Sequence, residues 1–222
     1  MTWLWNVSSD AIAPISADIQ YGEHSLWFRV IESVQDVQAI RTCVQYLNEV
    51  AEHGDVQWDL RSMDVPRGIE PPKKELFSVF GRAPFEIYGV DTGWILEMSN
   101  GMPVGYLHME WALHLPQDPC LDPQKGLAIT LHEIALHPNL RGKGLGKKML
   151  NHAMEQIQQH ILYVEQVHPR LASLHWDIQC NAEAISKDGQ TALEYLRQHM
   201  TVQPSVDMSY LGRYSVFQSF QS

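Results

Sequence analysis

The sequence predicts an α/β (α+β) protein with a mixed, mostly antiparallel central sheet flanked by helices. Three observations carry that reading. Two apolar runs, residues 92–98 (TGWILEM) and 104–111 (VGYLHMEW), flank Ser99-Asn100-Gly101-Met102-Pro103. Asn-Gly between such runs is the strongest short-range signal for a hairpin. A third run, residues 126–136 (GLAITLHEIAL), is mostly apolar, as a central strand covered on both faces must be. Two longer stretches, one before these runs and one after, carry their apolar residues at helical spacing instead.

In chain order, residues 1–25 show no sustained periodicity and are expected to form an irregular N-terminal extension. Residues 26–32 (LWFRVIE) have the β-branched and aromatic content of a strand. Ser33 then precedes VQDVQAIRTCVQYLNEV, where Val37, Ile40, Val44 and Leu47 fall at helical spacing. Ser33 with Asp36 resembles a capping box at its start. From His53 to Pro84 the pattern is interrupted by Pro66, Pro71, Pro72 and Pro84, so loops and short helices are expected. Such a long connection in a compact domain is often functional. After the central strand a helix begins at Gly144, with Leu145, Met149, Ala153, Ile157 and Ile161 along one face. Residues 174–180 (LHWDIQC) read as a strand and GQTALEYLRQH as a short helix. The alternation of Tyr214, Val216, Gln218 and Phe220 after Gly212 reads as a terminal hairpin. Residues 26–222 are thus expected to form one domain behind the extension.

Composition narrows the function classes. The chain has 222 residues, enough for a sizeable core, with 16 Lys+Arg against 26 Asp+Glu and a formal charge of −10. That balance argues against a protein that grips nucleic acid. Cys43, Cys120 and Cys180 lie far apart without a CxxC pair, which speaks against a disulfide framework or a cysteine zinc site. No segment approaches the roughly 18 apolar residues that would span a bilayer. The start, MTWLWNVSSDAIAP, lacks the basic and apolar regions of a secretory signal. A soluble, cytoplasmic protein is expected, without a membrane or nucleic-acid partner and with no metal; the sequence leaves room for a homodimer.

The chemistry concentrates in HEIALHPNLRGKGLGKKML, residues 132–150. A strand ends near Leu136, Pro138 marks a turn, and Arg141, Gly144 and Gly146 open a helix. Glycines there let a ligand approach the backbone, and the first N–H groups of the helix point outward with the dipole behind them. Arg141, Lys143, Lys147 and Lys148 crowd the same turn and a half with no acidic residue between them. Cations at a helix N-terminus oppose the dipole unless an anion lies there, so the pattern points to a phosphate. A Walker A loop fails, because Lys148 follows Gly146-Lys147 and Arg141 stands where its first glycine belongs. GxGxxG fails at position 147. What matches is R-x-x-G-x-G, with Arg141, Gly144 and Gly146.

With the strand before it and the amphipathic helix after it, this stretch resembles the acetyl-CoA-binding motif of the GNAT superfamily of N-acetyltransferases. The likeness is sharp over residues 92–160 and loose over 26–222. It implies an acetyl-CoA-dependent N-acyltransferase in which an acceptor amine, carried by a small molecule or a peptide, attacks the thioester directly. The backbone from Arg141 through Gly142, Lys143, Gly144 and Leu145 to Gly146 would cradle the CoA pyrophosphate. The backbone of Ile134, Ala135 and Leu136 would pair with the pantetheine arm. The strand 174–180 would splay away to open the acetyl slot. Lys143 or Lys147 would meet a CoA phosphate.

For the base that removes a proton from the acceptor, Glu133 is the first candidate and His132 its competitor. Strand residues alternate faces, so only one of the two should face the slot unless the strand kinks. Glu110 and His108 share a face of the neighbouring strand and are further candidates. The family's acid is usually a tyrosine in N-x-x-A-x-x-F-Y. Here ALEYLRQHM places Leu196 at the tyrosine and Gly189 at the asparagine, so Tyr195 fills the role only if the register shifts by one. His132-Glu133-x-x-x-His137 is not HExxH, which argues against zinc hydrolysis. The weak acid/base match leaves a second reading, a non-catalytic CoA-binding sensor or scaffold.

Overall fold

A computed structural model describes residues 16–50, 67–69, 73–75, 85–118, 124–181, 187–199 and 216–217, with side chains of 43–50, 69, 75, 187–188 and 216–217 excluded. Nine strands form one sheet: β1 Ala17–Tyr21, β2 His24–Val30, β3 Gly68–Ile69, β4 Lys73–Glu75, β5 Phe85–Glu97, β6 Pro103–Pro116, β7 Gln124–Leu136, β8 His175–Asn181 and β9 Val216–Phe217. Three α-helices accompany them: α1 Val34–Val50, α2 Leu145–Val167 and α3 Lys187–His199. The sheet order is β1-β2-β5-β6-β7-β8-β9, with β3 and β4 also paired to β5. All pairings are antiparallel except β7 with β8 and β8 with β9. The mixed, mostly antiparallel fold class is what the sequence predicts.

Several boundaries differ. The expected irregular extension ends sooner, because Ala17–Tyr21 pairs with β2 across a turn that Gly22 makes with φ 59°; its remainder, 1–15, lies outside the described residues. Most of the 53–84 connection also does, but β3 and β4 are strands along β5 rather than loop. The terminal hairpin is described only at β9, which runs parallel to β8. The Asn-Gly hairpin is present as expected. The Met98 N–H donates to Met102 O and the Gly101 N–H to Met98 O, while Asn100 Oδ1 accepts from the Met102 N–H. Gly101 takes φ 78°.

The capping box at α1 is reciprocal. Ser33 Oγ accepts from the Asp36 N–H at 3.3 Å, and Asp36 Oδ2 accepts from the Ser33 N–H at 3.1 Å. Arg29 ties the cap to the sheet through Asp36 at 2.6 Å and Glu97 at 2.9 Å.

The two faces of the sheet differ. On one, Phe28, Trp94, Leu107, Met109, Trp111, Ile129 and Trp176 pack with Met149, Ala153, Ile157 and Ile161 of α2 as the main core. Among the buried polar groups there, Trp111 Nε1 donates to His160 Nδ1 at 2.9 Å and Lys125 Nζ meets Glu165 Oε1 at 2.6 Å, whereas Trp94 Nε1 and His160 Nε2 have no hydrogen-bond partner among the described residues. On the other face Val37 and Ile40 of α1, with Ile31, cover Ile95, Tyr106 and Ala135. Beyond that cover, His108, Glu110, Ala112 and His114 of β6 are only half-buried, while Met109, Trp111 and Leu113 between them are buried. Among the described residues no helix covers this stretch of the face, which carries His108, Glu110 and His114.

Candidate active site

The glycine loop before α2 is built largely from local bonds. After β7 the His137 N–H returns to Val104 O, and a 3-10 turn, Pro138–Leu140, follows. The Leu140 N–H donates to His137 O and the Arg141 N–H to Pro138 O at 3.1 Å. Arg141 Nε donates to Leu136 O at 3.0 Å. The Arg141 amide is therefore engaged within the turn. Its side chain ties the same turn to the end of β7. Gly142 and Gly144 adopt φ 69° and 78°, a region L side chains rarely enter, and a Cβ on either would meet nothing within 4 Å. The loop thus presents open backbone at the start of α2, whose first turn has no acidic residue.

The four basic residues are spread around this opening. Lys143 Nζ lies 5.1 Å from the Tyr21 ring, Lys147 Nζ lies 5.0 Å from the Tyr195 ring, and Lys148 Nζ donates to Gln20 O. Among the described residues none of the four is paired with a carboxylate. Two left-handed glycines, open amides and cations without counter-anions fit a diphosphate.

Beside the loop, β7 loses its neighbour. The parallel register with β8 ends at Thr130↔Asn181, while β7 runs on to Leu136. The backbone edge at Ile134, Ala135 and Leu136 is left without β8 pairing. Gly146 of α2 sits over it: a Cβ added there would lie 3.7 Å from a Leu136 side-chain carbon and 3.8 Å from an Ile134 one.

A β-bulge orients His132 and Glu133 differently from the alternation rule. The register passes from His108↔Glu133 to Met109↔Leu131, so His132 is the extra residue. Glu133 then accepts from the Tyr106 hydroxyl at 2.8 Å, and His132 Nε2 lies 3.3 Å from Glu110 Oε2. Tyr106, His108 and Glu110 share one face of β6, so His132 and Glu133 both project onto that face. Simple alternation allows only one of them there. Burial, helped by the Glu133 charge, pushes the Tyr106 phenol far above its ordinary range and keeps it a neutral donor.

A family model described as the Acetyltransferase (GNAT) family matches residues 58–176, just over half of the chain. The chain belongs to the GNAT acetyltransferase family. No curated protein matches the sequence. In this GNAT chain α3 lies against α2. Leu196 is buried, and the Tyr195 hydroxyl donates to Asn151 Oδ1 of α2 at 2.9 Å. The Tyr195 ring stacks on His199 at 4.0 Å. The structure therefore brings His132 and Glu133 together and places Tyr195 with Lys147, beside the glycine loop.

Sequence reasoning missed Arg67 and Asp91. Arg67 Nε and its backbone N–H both lie 3.1 Å from Asp91 Oδ2, and His108 Nε2 lies 2.8 Å from Asp91 Oδ1. Burial alone would raise the Asp91 carboxyl, but His108 and Arg67 outweigh it and hold it well below the usual carboxylate range. An aspartate inside the apolar strand FEIYGVDTGWILE is the signal that could have found it. Among the described residues no group of three or more His, Cys, Asp or Glu is arranged to hold a metal, and no helix is long and apolar enough to cross a membrane.

Proposed function

We propose that this chain is an N-acetyltransferase that moves an acetyl group from acetyl-CoA to a primary amine by direct attack on the thioester. The observation that carries the reading is the meeting of three features on one stretch of chain. The bulge turns His132 and Glu133 onto the uncovered face, the backbone beyond it loses β8, and the open glycine loop follows. Acetyl-CoA, when bound, supplies an activated acyl group and a good leaving thiolate.

The amides from Gly142 to Gly146 and the dipole of α2 would hold its pyrophosphate, with Lys143 or Lys147 at a phosphate. The edge at Ile134, Ala135 and Leu136 would align the pantetheine as an added strand. Glu133 or His132 would take the proton that makes the amine nucleophilic. Among the described residues, Asp91, Glu110 and Glu133 face this region with the guanidinium of Arg67, which favours a cationic acceptor, on a small molecule or a peptide.

One observation favours a second reading, a CoA-binding sensor or scaffold: α3 offers buried Leu196 where the family has its acid, and Tyr195 is engaged by Asn151. Release of CoA from acetyl-CoA, measured over a panel of primary amines alongside CoA-dependent thermal stabilisation, separates the two. We expect both amine-dependent release and stabilisation. Stabilisation with no release for any amine would leave the binding module.

A further inference from the structure

Five side chains from four segments close a ring around the β7 bulge. Arg67 reaches Asp91 Oδ2 at 3.1 Å through Nε and Glu110 Oε1 at 3.3 Å through Nη2. Each carboxylate then holds one imidazole by its Nε2: Asp91 holds His108 at 2.8 Å, and Glu110 holds His132 at 3.3 Å. The imidazoles complete the ring by stacking, with centroids 4.6 Å apart and planes 30° from parallel. An anionic partner at Nε2 selects the tautomer with the proton there, which leaves Nδ1 as the basic nitrogen of each ring. His108 is mostly covered, with 14% of its side chain exposed, whereas His132 is 37% exposed. Glu133 is differently placed. It is half-buried beside the part of the face that α1 covers, and it already accepts the Tyr106 hydroxyl.

We propose that His132 is the group that takes the proton of the acceptor amine, at Nδ1, and that Arg67, Asp91, His108 and Glu110 are positioning residues that hold its ring. This rests on the N-acetyltransferase reading above and assigns the base within it. The step balances simply. An N–H bond of the acceptor ammonium breaks, the proton goes to His132 Nδ1, and the freed nitrogen pair attacks the acetyl carbonyl carbon. The C–S bond breaks, and the new amide nitrogen gives up its second proton to the departing thiolate, directly or through water, so that CoA leaves as the thiol. His132 passes the first proton to solvent. The imidazolium formed meanwhile faces the Glu110 carboxylate and the stacked His108 ring, with Asp91, Arg67 and Glu133 as the other charged groups of the described structure around it. Glu133 keeps a separate task, attracting the ammonium.

The test is a steady-state pH profile of amine-dependent CoA release for wild type, His132→Gln, Glu110→Gln, Asp91→Asn and Glu133→Gln. Because His132 is exposed, its substitution should leave the fold intact, which CoA-dependent thermal stabilisation checks. We expect His132→Gln to lower kcat at least about 100-fold, the order of a lost general base, with KM for acetyl-CoA unchanged. Glu110→Gln should move the acid limb of the kcat profile to lower pH, since the charge favouring the protonated ring is gone. A merely structural role would not move it. Asp91→Asn should lower kcat, and Glu133→Gln should raise KM for the amine more than it lowers kcat. The proposal is overturned if His132→Gln keeps wild-type kcat and acid limb while Glu133→Gln loses them. Absence of release by wild type with every amine would instead overturn the N-acetyltransferase reading itself.

Discussion

The glycine loop and the polar face beside it are neighbours in the molecule but are made in opposite ways. The turn itself is local: the bonds that shape it, Asn139 to His137, Leu140 to His137, Arg141 to Pro138 and Leu136, and the Lys148 N–H to Gly144, join residues a few positions apart. The His137 N–H to Val104 and Lys148 Nζ to Gln20 anchor it to the sheet. The face is assembled from Arg67, Asp91 on β5, His108 and Glu110 on β6, and the two bulge residues of β7. A locally encoded element can be weakened for its ligand without disturbing the face. The face, in turn, can lose chemistry without losing the ligand. The proposed function requires that separation, and it can be broken at either end.

The largest expected effect comes from emptying the face. The double variant His132→Gln with Glu133→Gln should lower amine-dependent turnover by at least about 100-fold while CoA still stabilises the protein. Loss of CoA binding in that variant would break the comparison.

Next is the loop. Gly144→Glu puts a carboxylate at the helix start and forces a side chain into φ 78°, at a strain of about 1–2 kcal/mol. We expect CoA affinity to fall at least about tenfold, read by calorimetric titration, with the far-ultraviolet circular dichroism of the native protein retained.

A finer cut separates what the two kinds of glycine do. Gly146 has no positive φ, and a Cβ there would make ordinary contacts with Ile134 and Leu136. Gly146→Ala should therefore leave thermal stability unchanged or raise it by up to about 1 kcal/mol in a helix. Gly144→Ala should lower it. Equal effects of the two would show that the left-handed turn is not what Gly144 supplies.

The smallest effect lies outside both regions and serves as a control. Burial would raise the Asp36 carboxyl, but Arg29, the Glu32 N–H and the Ser33 hydroxyl outweigh it and hold it at about 2. A depressed carboxylate contributes stability above its unfolded value near 4, and that contribution is lost as pH falls from about 4 to about 2. Asp36→Ala should cost about 1 kcal/mol at neutral pH through the lost cap, and should flatten the acid dependence of stability in that window. CoA affinity should stay at the wild-type value. Urea unfolding at pH 7 and pH 3 reads both.

The same contrast explains what was legible in the sequence. The glycine turn at Gly142 and Gly144 that opens α2 is readable because spacing and turn chemistry are short-range. The Ser33–Asp36 box and the Asn100–Gly101 hairpin are readable for the same reason. The acceptor-side face is only half readable. Alternation places His132 and Glu133 on opposite faces, and the bulge that overturns it depends on the register with β6, which no local pattern of β7 encodes. Arg67 and Asp91 meet across 24 residues, most of them proline-broken connection, so only the fold brings them together. The strand at Ala17–Tyr21 escapes notice because an edge strand needs little apolar content. Yet it brings Tyr21 against Lys143 and the Gln20 carbonyl to Lys148.

The ligand loop and the proton-handling face are, on this reading, separable parts of one site. Calorimetric titration of CoA into wild type, the His132→Gln/Glu133→Gln double variant and Gly144→Glu tests that claim most directly. We predict wild-type affinity in the double variant and at least a roughly tenfold loss in Gly144→Glu, the equivalent of about 1.4 kcal/mol. Unchanged affinity in Gly144→Glu, or a comparable loss in the double variant, would contradict it.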